Sequence, residues 1–192
     1  MNQATDGKEN KGNTMHMIAF NGETMEVVNK IISRYPEGKH KSALIPILHI
    51  AQAEFGGWLS PATMDYVASI LKIKPVEVYE VASFYSMYNL KPVGKCVLDV
   101  CRTSSCWVRG AEDVINHLEK RLGIKVGETT ADGMFTIKTV ECLGSCGTAP
   151  MMQVGASYHE NLTLEKVDGL IENYRKEGKQ KSYTDLDYKN TL

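Results

Sequence analysis

Two short stretches hold four of the chain's five cysteines. CRTSSCWVRG, residues 101–110, spaces Cys101 and Cys106 as C-x4-C. ECLGSCGTAP, residues 141–150, spaces Cys142 and Cys146 as C-x3-C. Each pair follows a β-rich run: KCVLDV, residues 95–100, leads into Cys101, and MFTIKTVE, residues 134–141, leads into Cys142 after an Asp132-Gly133 turn signal. Between them, Val114, Ile115, Leu118 and Leu122 recur at helical spacing, and Gly123 closes a helix expected over residues 107–122. The unit is β-α-β. In such units the strands run parallel, often as neighbours, and their carboxyl ends lie on one sheet edge. A fold of this kind can bring both cysteine loops to one place.

Four converging thiols have few uses. The N-terminal stretch MNQATDGKENKGNT is polar and lacks the apolar core of a secretory signal, and no apolar run approaches bilayer length. A reducing compartment is therefore expected, where clustered cysteines serve as metal ligands or reactive thiols more often than as disulfides. Five cysteines, an odd number, also argue against a full disulfide framework. Thiolate-rich sites select zinc or iron–sulfur centres. Structural zinc sites usually pair ligands as C-x2-C, whereas the wider C-x4-C loop suits a binuclear cluster whose ligand pairs reach two irons. The loop LGSCGTAP is rich in small residues, so backbone amides can approach the sulfurs. A cluster of two irons, two sulfides and four thiolates carries a formal charge of about −2, or about −3 when reduced. Arg102, Arg109 and the start of the helix near Trp107 are placed to offset it. Four cysteines complete the ligation, so a histidine-ligated centre is disfavoured, and the C-x-x-C of a redox dithiol is missing. The residues alone leave a [2Fe–2S] site, a zinc-stabilised interaction module and thiol or disulfide chemistry. A net charge of −1 gives no broad basic field for nucleic acid or an anionic membrane.

Ahead of the cysteines the chain reads as helical. Residues 1–19 are expected to be a disordered polar tail. Residues 20–92 carry short helices: one over 23–35, one over 41–55 with Pro46 in its first turn and Leu44, Ile45, Leu48 and Phe55 on its apolar side, one opened by Ser60-Pro61, and one opened by Lys74-Pro75. After the second cysteine pair, residues 150–154 and ASYHENL suggest a hairpin, and Thr163 caps a final helix to about residue 174. The β-α-β-β-α order over residues 93–176 is that of a thioredoxin-like sandwich, and residues 177–192 are read as a charged tail. The expected class is thus α/β (α+β), an N-terminal helical bundle followed by a thioredoxin-like domain.

Other residues have plainer readings. Cys96 shares strand phase with Leu98 and Val100 and is expected in the core. His49 is expected to be packed, while His16, His40, His117 and His159 share no spacing and receive no role. Trp107 shields the thiols or joins the core. Phe84, Tyr85, Met87 and Tyr88 are expected to pack the helices onto the sheet, with a partner contact as the sharper option. Met151-Met152 should lie beneath the second cysteine loop. Gly144 and Gly147 should serve positive φ or close approach to sulfur, and the Pro150 peptide is open to cis or trans.

The stretches QAEFGGWLSPATMDYVA, VYEVASFYSMYNLKPVGK and VCRTSSCWVRGAEDVINHLEKRLGIKVGETTADGMFTIKTVECLGSCGTAPMMQV, with the final helix, closely resemble the 24-kDa-type thioredoxin-like [2Fe–2S] subunit family of respiratory NADH:quinone oxidoreductase, complex I. The resemblance covers about residues 25–175. It implies that Cys101, Cys106, Cys142 and Cys146 ligate one [2Fe–2S] cluster. It also implies a flavoprotein partner carrying FMN and NADH, other peripheral-arm subunits, and a cytoplasmic place on the inner face of the membrane through the complex. Equivalent subunits serve NAD-linked hydrogenases and formate dehydrogenases. The chain has no G-x-G-x-x-G and no evident flavin pocket, so NADH oxidation by the isolated chain is not expected.

Overall fold

The computed structural model describes residues 18–181. The expected N-terminal tail before residue 18, with His16, and the last part of the charged C-terminal tail lie outside the described residues.

Four helices come first. Helix α1, Gly22–Ile32, is capped by Asn21, whose side chain accepts from the Thr24 amide. Helix α2, Leu44–Glu54, follows a 3-10 turn over His40–Ala43 and carries Pro46 in its first turn, where no intrahelical donor is needed. Helix α3, Pro61–Leu71, starts at Ser60, whose hydroxyl accepts from the Thr63 amide, and helix α4, Pro75–Phe84, starts where the Lys74 amide donates to Glu77. Their facing sides bury Val28, Ile31, Ile47, Leu48, Val67, Leu71 and Val78 in one core, joined by Leu59 from the loop before α3. On α2 the buried residues are Leu44, Ile47, Leu48, Ile50 and Ala51, and the expected Ile45 points outward.

The sheet follows. Strand β1, Cys96–Cys101, pairs in parallel with β2, Phe135–Val140, from Cys96 opposite Phe135 to Cys101 opposite Val140. Strand β3, Met152–Val154, lies antiparallel on the other side of β1 and turns back into β4, Ser157–His159, giving the order β2-β1-β3-β4. The connection from β1 to β2 is two helices, not the single one expected: α5, Ser104–Val108, and α6, Ala111–Leu122, are separated where Gly110 takes φ 96°. Trp107 and Val108 continue the apolar phase of α6, which hides this break from periodicity. Helix α7, Leu164–Glu177, is capped by Thr163. Helices α6 and α7 share a second core with Leu98, Val100, Phe135, Ile137, Met152 and Val154, and the expected core residue Cys96 is fully buried there.

The opposite face of β1, with Val97 and Asp99, meets the helices across a small chamber also lined by His49, Gln52, Asn89 and Gln153. Polar side chains join the two parts. Lys138 on β2 donates to the Ser86 carbonyl and to Asn89 Oδ1, both at 2.8 Å, and Ser86 donates to Glu141 at 2.6 Å. The aromatic segment expected to form this joint contributes less: Phe84 is 79% exposed, whereas Tyr88 is buried in the helical core with its hydroxyl on the Ile45 carbonyl. Beyond α7 the chain crosses the sheet. Gln180 accepts from the Val97 amide at 2.9 Å, and the Lys181 carbonyl accepts from Ala156 at 2.9 Å.

Candidate thiol centre

The four paired cysteines meet at the carboxyl edge of β1 and β2. Cys101 is the last residue of β1. Cys106 lies in α5, which the chain enters through the turn after Arg102. Cys142 follows β2 by two residues, and Cys146 opens a 3-10 turn, Cys146–Thr148. Cys101 and Cys106 are buried, at 2% and 1% exposure, in a small cluster with Ala111, Ala149 and Met151. Cys142 and Cys146 are exposed. Their sulfurs stand 3.6 Å apart. A tetrahedral metal with metal–sulfur bonds of ~2.3 Å holds two thiolates about 3.7 Å apart, so this pair has the spacing of two ligands on one ion. The second pair also interacts thiol to thiol, between Cys101 and Cys106. No group of three or more His, Cys, Asp or Glu among the described residues closes on a single ion.

Donors surround the sulfurs. The Gly144 amide points at Cys142 Sγ from 3.4 Å, possible in that tight turn because Gly144 takes φ 82°. The Thr103 hydroxyl is 3.4 Å from Cys101 Sγ. Burial would push the Cys101 thiol up, but hydrogen bonds from Thr103, the Leu143 amide and Cys106 outweigh it and leave the thiol below its ordinary range. The Gly144 amide, then Cys146 and Thr103, also hold Cys142 low. Burial, and then sharing a proton with Cys101, pushes Cys106 up to about 11. This donor-rich edge can hold anionic sulfur, as a cluster with excess negative charge requires.

A carboxylate, Glu160, holds the loop. Ser145 donates to Glu160, and Thr148 donates to the same oxygen at 2.8 Å. Tyr158 donates to the Leu143 carbonyl at 2.8 Å. None of Thr103, Leu143, Tyr158 and Glu160 is among the residues expected at the site from the sequence; the one available signal is that Thr103 lies two residues after Cys101.

Some expectations change and others stand. Trp107 is 60% exposed, so it joins no core. The helix near the thiols starts at Ser104, not Trp107. Arg102 lies 3.7 Å from Glu112, and Arg109 lines a groove between α6 and α7. Met151 sits with the thiols, but Met152 points into the core on the other side, because adjacent strand residues face opposite ways. Gly147 has neither positive φ nor a close neighbour. The Ala149–Pro150 peptide is cis. His49 is packed against Tyr88, with ring centroids 5.1 Å apart, and burial pushes its pKa down. His117 pairs with Asp168 and His159 with Tyr174 on α7, away from the thiols.

The chain is similar to several known proteins. The profile of the family described as thioredoxin-like [2Fe–2S] ferredoxin matches residues 28–175. The E-type subunit of NADH-quinone oxidoreductase from Rickettsia felis is 44% identical over 157 residues, covering 82% of this chain and 94% of that protein. The mitochondrial NADH dehydrogenase [ubiquinone] flavoprotein 2 of Dictyostelium discoideum is 43% identical over 165 residues, covering 85% of this chain and 67% of that protein. Among solved structures, a chain of an air-oxidised NAD+-reducing [NiFe]-hydrogenase superposes with a TM-score of 0.60 over 70% of this chain, at 22% identity, and the match spans 23% of that hydrogenase chain.

Proposed function

Because this chain belongs to the thioredoxin-like [2Fe–2S] ferredoxin family, we propose that it is the electron-transfer subunit of an NADH:quinone oxidoreductase, holding one [2Fe–2S] cluster on Cys101, Cys106, Cys142 and Cys146. The observation that carries this reading is the meeting of two thiol pairs at one sheet edge, with the outer pair 3.6 Å apart and an amide aimed at sulfur.

When bound, such a cluster supplies a site that takes and returns one electron at a time, whereas NADH gives two as hydride. The chain's own residues set the conditions for that exchange. Parallel pairing through Cys101 and Val140 fixes the spacing of the two loops. Thr103 and the Gly144 and Leu143 amides stabilise negative sulfur. Cys142 and Cys146 leave one edge of the site open to a partner. We assign the partner as a flavoprotein subunit carrying FMN and binding NADH, in keeping with relatives named as subunits of NADH oxidoreductases. No helix among the described residues is long and apolar enough to cross a membrane, so attachment to a membrane would run through other subunits. The hydrogenase likeness, at 22% identity, speaks for the fold alone. The sequence relatives favour the quinone oxidoreductase over a hydrogenase or formate dehydrogenase setting.

The test is anaerobic purification with iron, sulfide and zinc analysis, followed by low-temperature EPR before and after dithionite. Two irons and two sulfides per chain, with a signal only on reduction, are the expected outcome. Stoichiometric zinc without iron, even after reconstitution, would replace this reading with a zinc-stabilised interaction module.

A further inference from the structure

The two thiol pairs differ in a way that the cluster reading does not use. Cys101 and Cys106 are sealed in a small core, while Cys142 and Cys146 face solvent. The outer sulfurs are 3.6 Å apart, about 1.5 Å more than a disulfide bond of ~2.05 Å requires. They are carried on a loop that contains Gly144 and Gly147, and a Cβ at either glycine would meet nothing within 4 Å. Glu160 holds Ser145 and Thr148, and Tyr158 holds Leu143, but no side chain packs against the loop at the two glycines, so a closing movement of the sulfurs displaces none there. The inner pair has no such freedom, since Cys101 is paired in the sheet and Cys106 is enclosed by Ala111, Ala149 and Met151.

From this geometry we propose that, in the chain without its cluster, Cys142 and Cys146 form a reversible disulfide, a modification site that excludes the cluster until it is reduced. The oxidant class is a peroxide. One outer thiolate attacks a peroxide oxygen, the O–O bond breaks, and the sulfur becomes a sulfenic acid as water leaves. The second thiol attacks that sulfur, the S–S bond forms, and a second water departs. Overall, two thiols and hydrogen peroxide give one disulfide and two waters. The electron pair comes from the two sulfurs and ends on peroxide oxygen. Thiol reductants reverse the step by exchange. The disulfide ties up two of the four sulfurs that the cluster reading needs. It also protects them from irreversible sulfinic oxidation while the site is unfilled.

The disulfide itself does not depend on the electron-transfer reading; only its competition with cluster loading does. The full chain, freed of metal and fully reduced, is treated with stoichiometric hydrogen peroxide under anaerobic conditions. It is then analysed by intact mass and by peptide mapping without reduction. The expected result is loss of two hydrogens, a linkage between Cys142 and Cys146, and free thiols at Cys96, Cys101 and Cys106. Iron uptake on reconstitution is then lost, and returns after a dithiol reductant. The Cys146→Ser variant is expected to stop at a sulfenic acid on Cys142. A linkage between Cys101 and Cys106, a linkage between the pairs, or sulfinic acid without any disulfide overturns the proposal. A Cys142–Cys146 disulfide in a chain that never binds iron would sustain the modification and sink the electron-transfer reading instead.

Discussion

The parallel pairing of β1 with β2 carries Cys101 towards Cys142, and one glycine tests how tightly it is set. Gly94 precedes β1, its amide donating to Thr136 Oγ1 at 2.7 Å. A Cβ built there lies 2.9 Å from the Met134 carbonyl carbon and oxygen and from the Phe135 carbonyl carbon. Carbon atoms in contact prefer ~3.5–4.0 Å, so the methyl of Gly94→Ala falls short by about 0.6–1 Å. The atoms it meets are backbone of Met134 and Phe135 at the entry to β2, which cannot swing aside as a side chain can. Overpacking of this kind costs about 1–3 kcal/mol. In a domain of this size that corresponds to a fall in Tm of about 2–12 °C. Two other glycines separate the possible causes. Gly22 has open space and an ordinary φ, so Gly22→Ala should be neutral or slightly stabilising. Gly123 has open space but φ +68°, so Gly123→Ala should cost about 1–2 kcal/mol through backbone strain alone.

The assay is urea unfolding of the metal-free chain for all three variants, with iron content after reconstitution measured in parallel. The Lys95 and Cys96 amides bond to the Gly133 and Met134 carbonyls at 3.0 and 2.8 Å, so strain at Gly94 is passed directly into the register of β1. Gly94→Ala should therefore lose iron retention as well as stability, whereas Gly123→Ala, at the far end of α6, should lose stability only. If Gly94→Ala is as stable as Gly22→Ala, the close approach of residue 94 to β2 is not a constraint. If Gly123→Ala loses iron equally, general destabilisation rather than register explains the effect.

Cys96→Ala should retain full iron and sulfide content, because Cys96 lies in the α6–α7 core; iron loss in this variant would displace the ligand assignment. Burial pushes the Cys96 thiol up to about 11, so the unfolded chain releases this proton first as pH rises. Wild-type stability should then fall relative to Cys96→Ala by about 3 kcal/mol between pH 8 and 11, and a pH-independent difference in urea midpoints would contradict this. Thr103→Val removes a hydroxyl 3.4 Å from Cys101 Sγ. With less stabilisation of the reduced, more negative state, the midpoint potential in an EPR-monitored titration should shift downward at unchanged iron content. Glu160→Ala releases Ser145 and Thr148, so iron loss to a chelator should quicken while far-UV circular dichroism stays unchanged.

The strands and the thiol edge were legible because each is written locally. KCVLDV alternates, the helix after it has its own period, and together they force parallel strands whose ends carry Cys101 and Cys142. What could not be read is the face that the helical part covers. Asp99 and Lys138 sit on the polar phase of β1 and β2, and a polar phase reads as solvent-facing when nothing says that a second layer lies on it. In the fold they are paired across the two strands, with Lys138 Nζ 3.8 Å from Asp99 Oδ1, and Lys138 holds the segment around Ser86 and Asn89 against the sheet. The same blindness gave the joint to Phe84 and its aromatic neighbours, when hydrogen bonds from a lysine and a serine make it. A joint of this kind is specific rather than strong: each bond needs its partner at one position, so it fixes where the helices sit more than how firmly. That matters at the site, because Ser86 is bonded to Glu141, next to Cys142. The helical part therefore reaches the thiol edge through one serine and one carboxylate, and the position of the outer cysteine loop is set from both sides of the molecule.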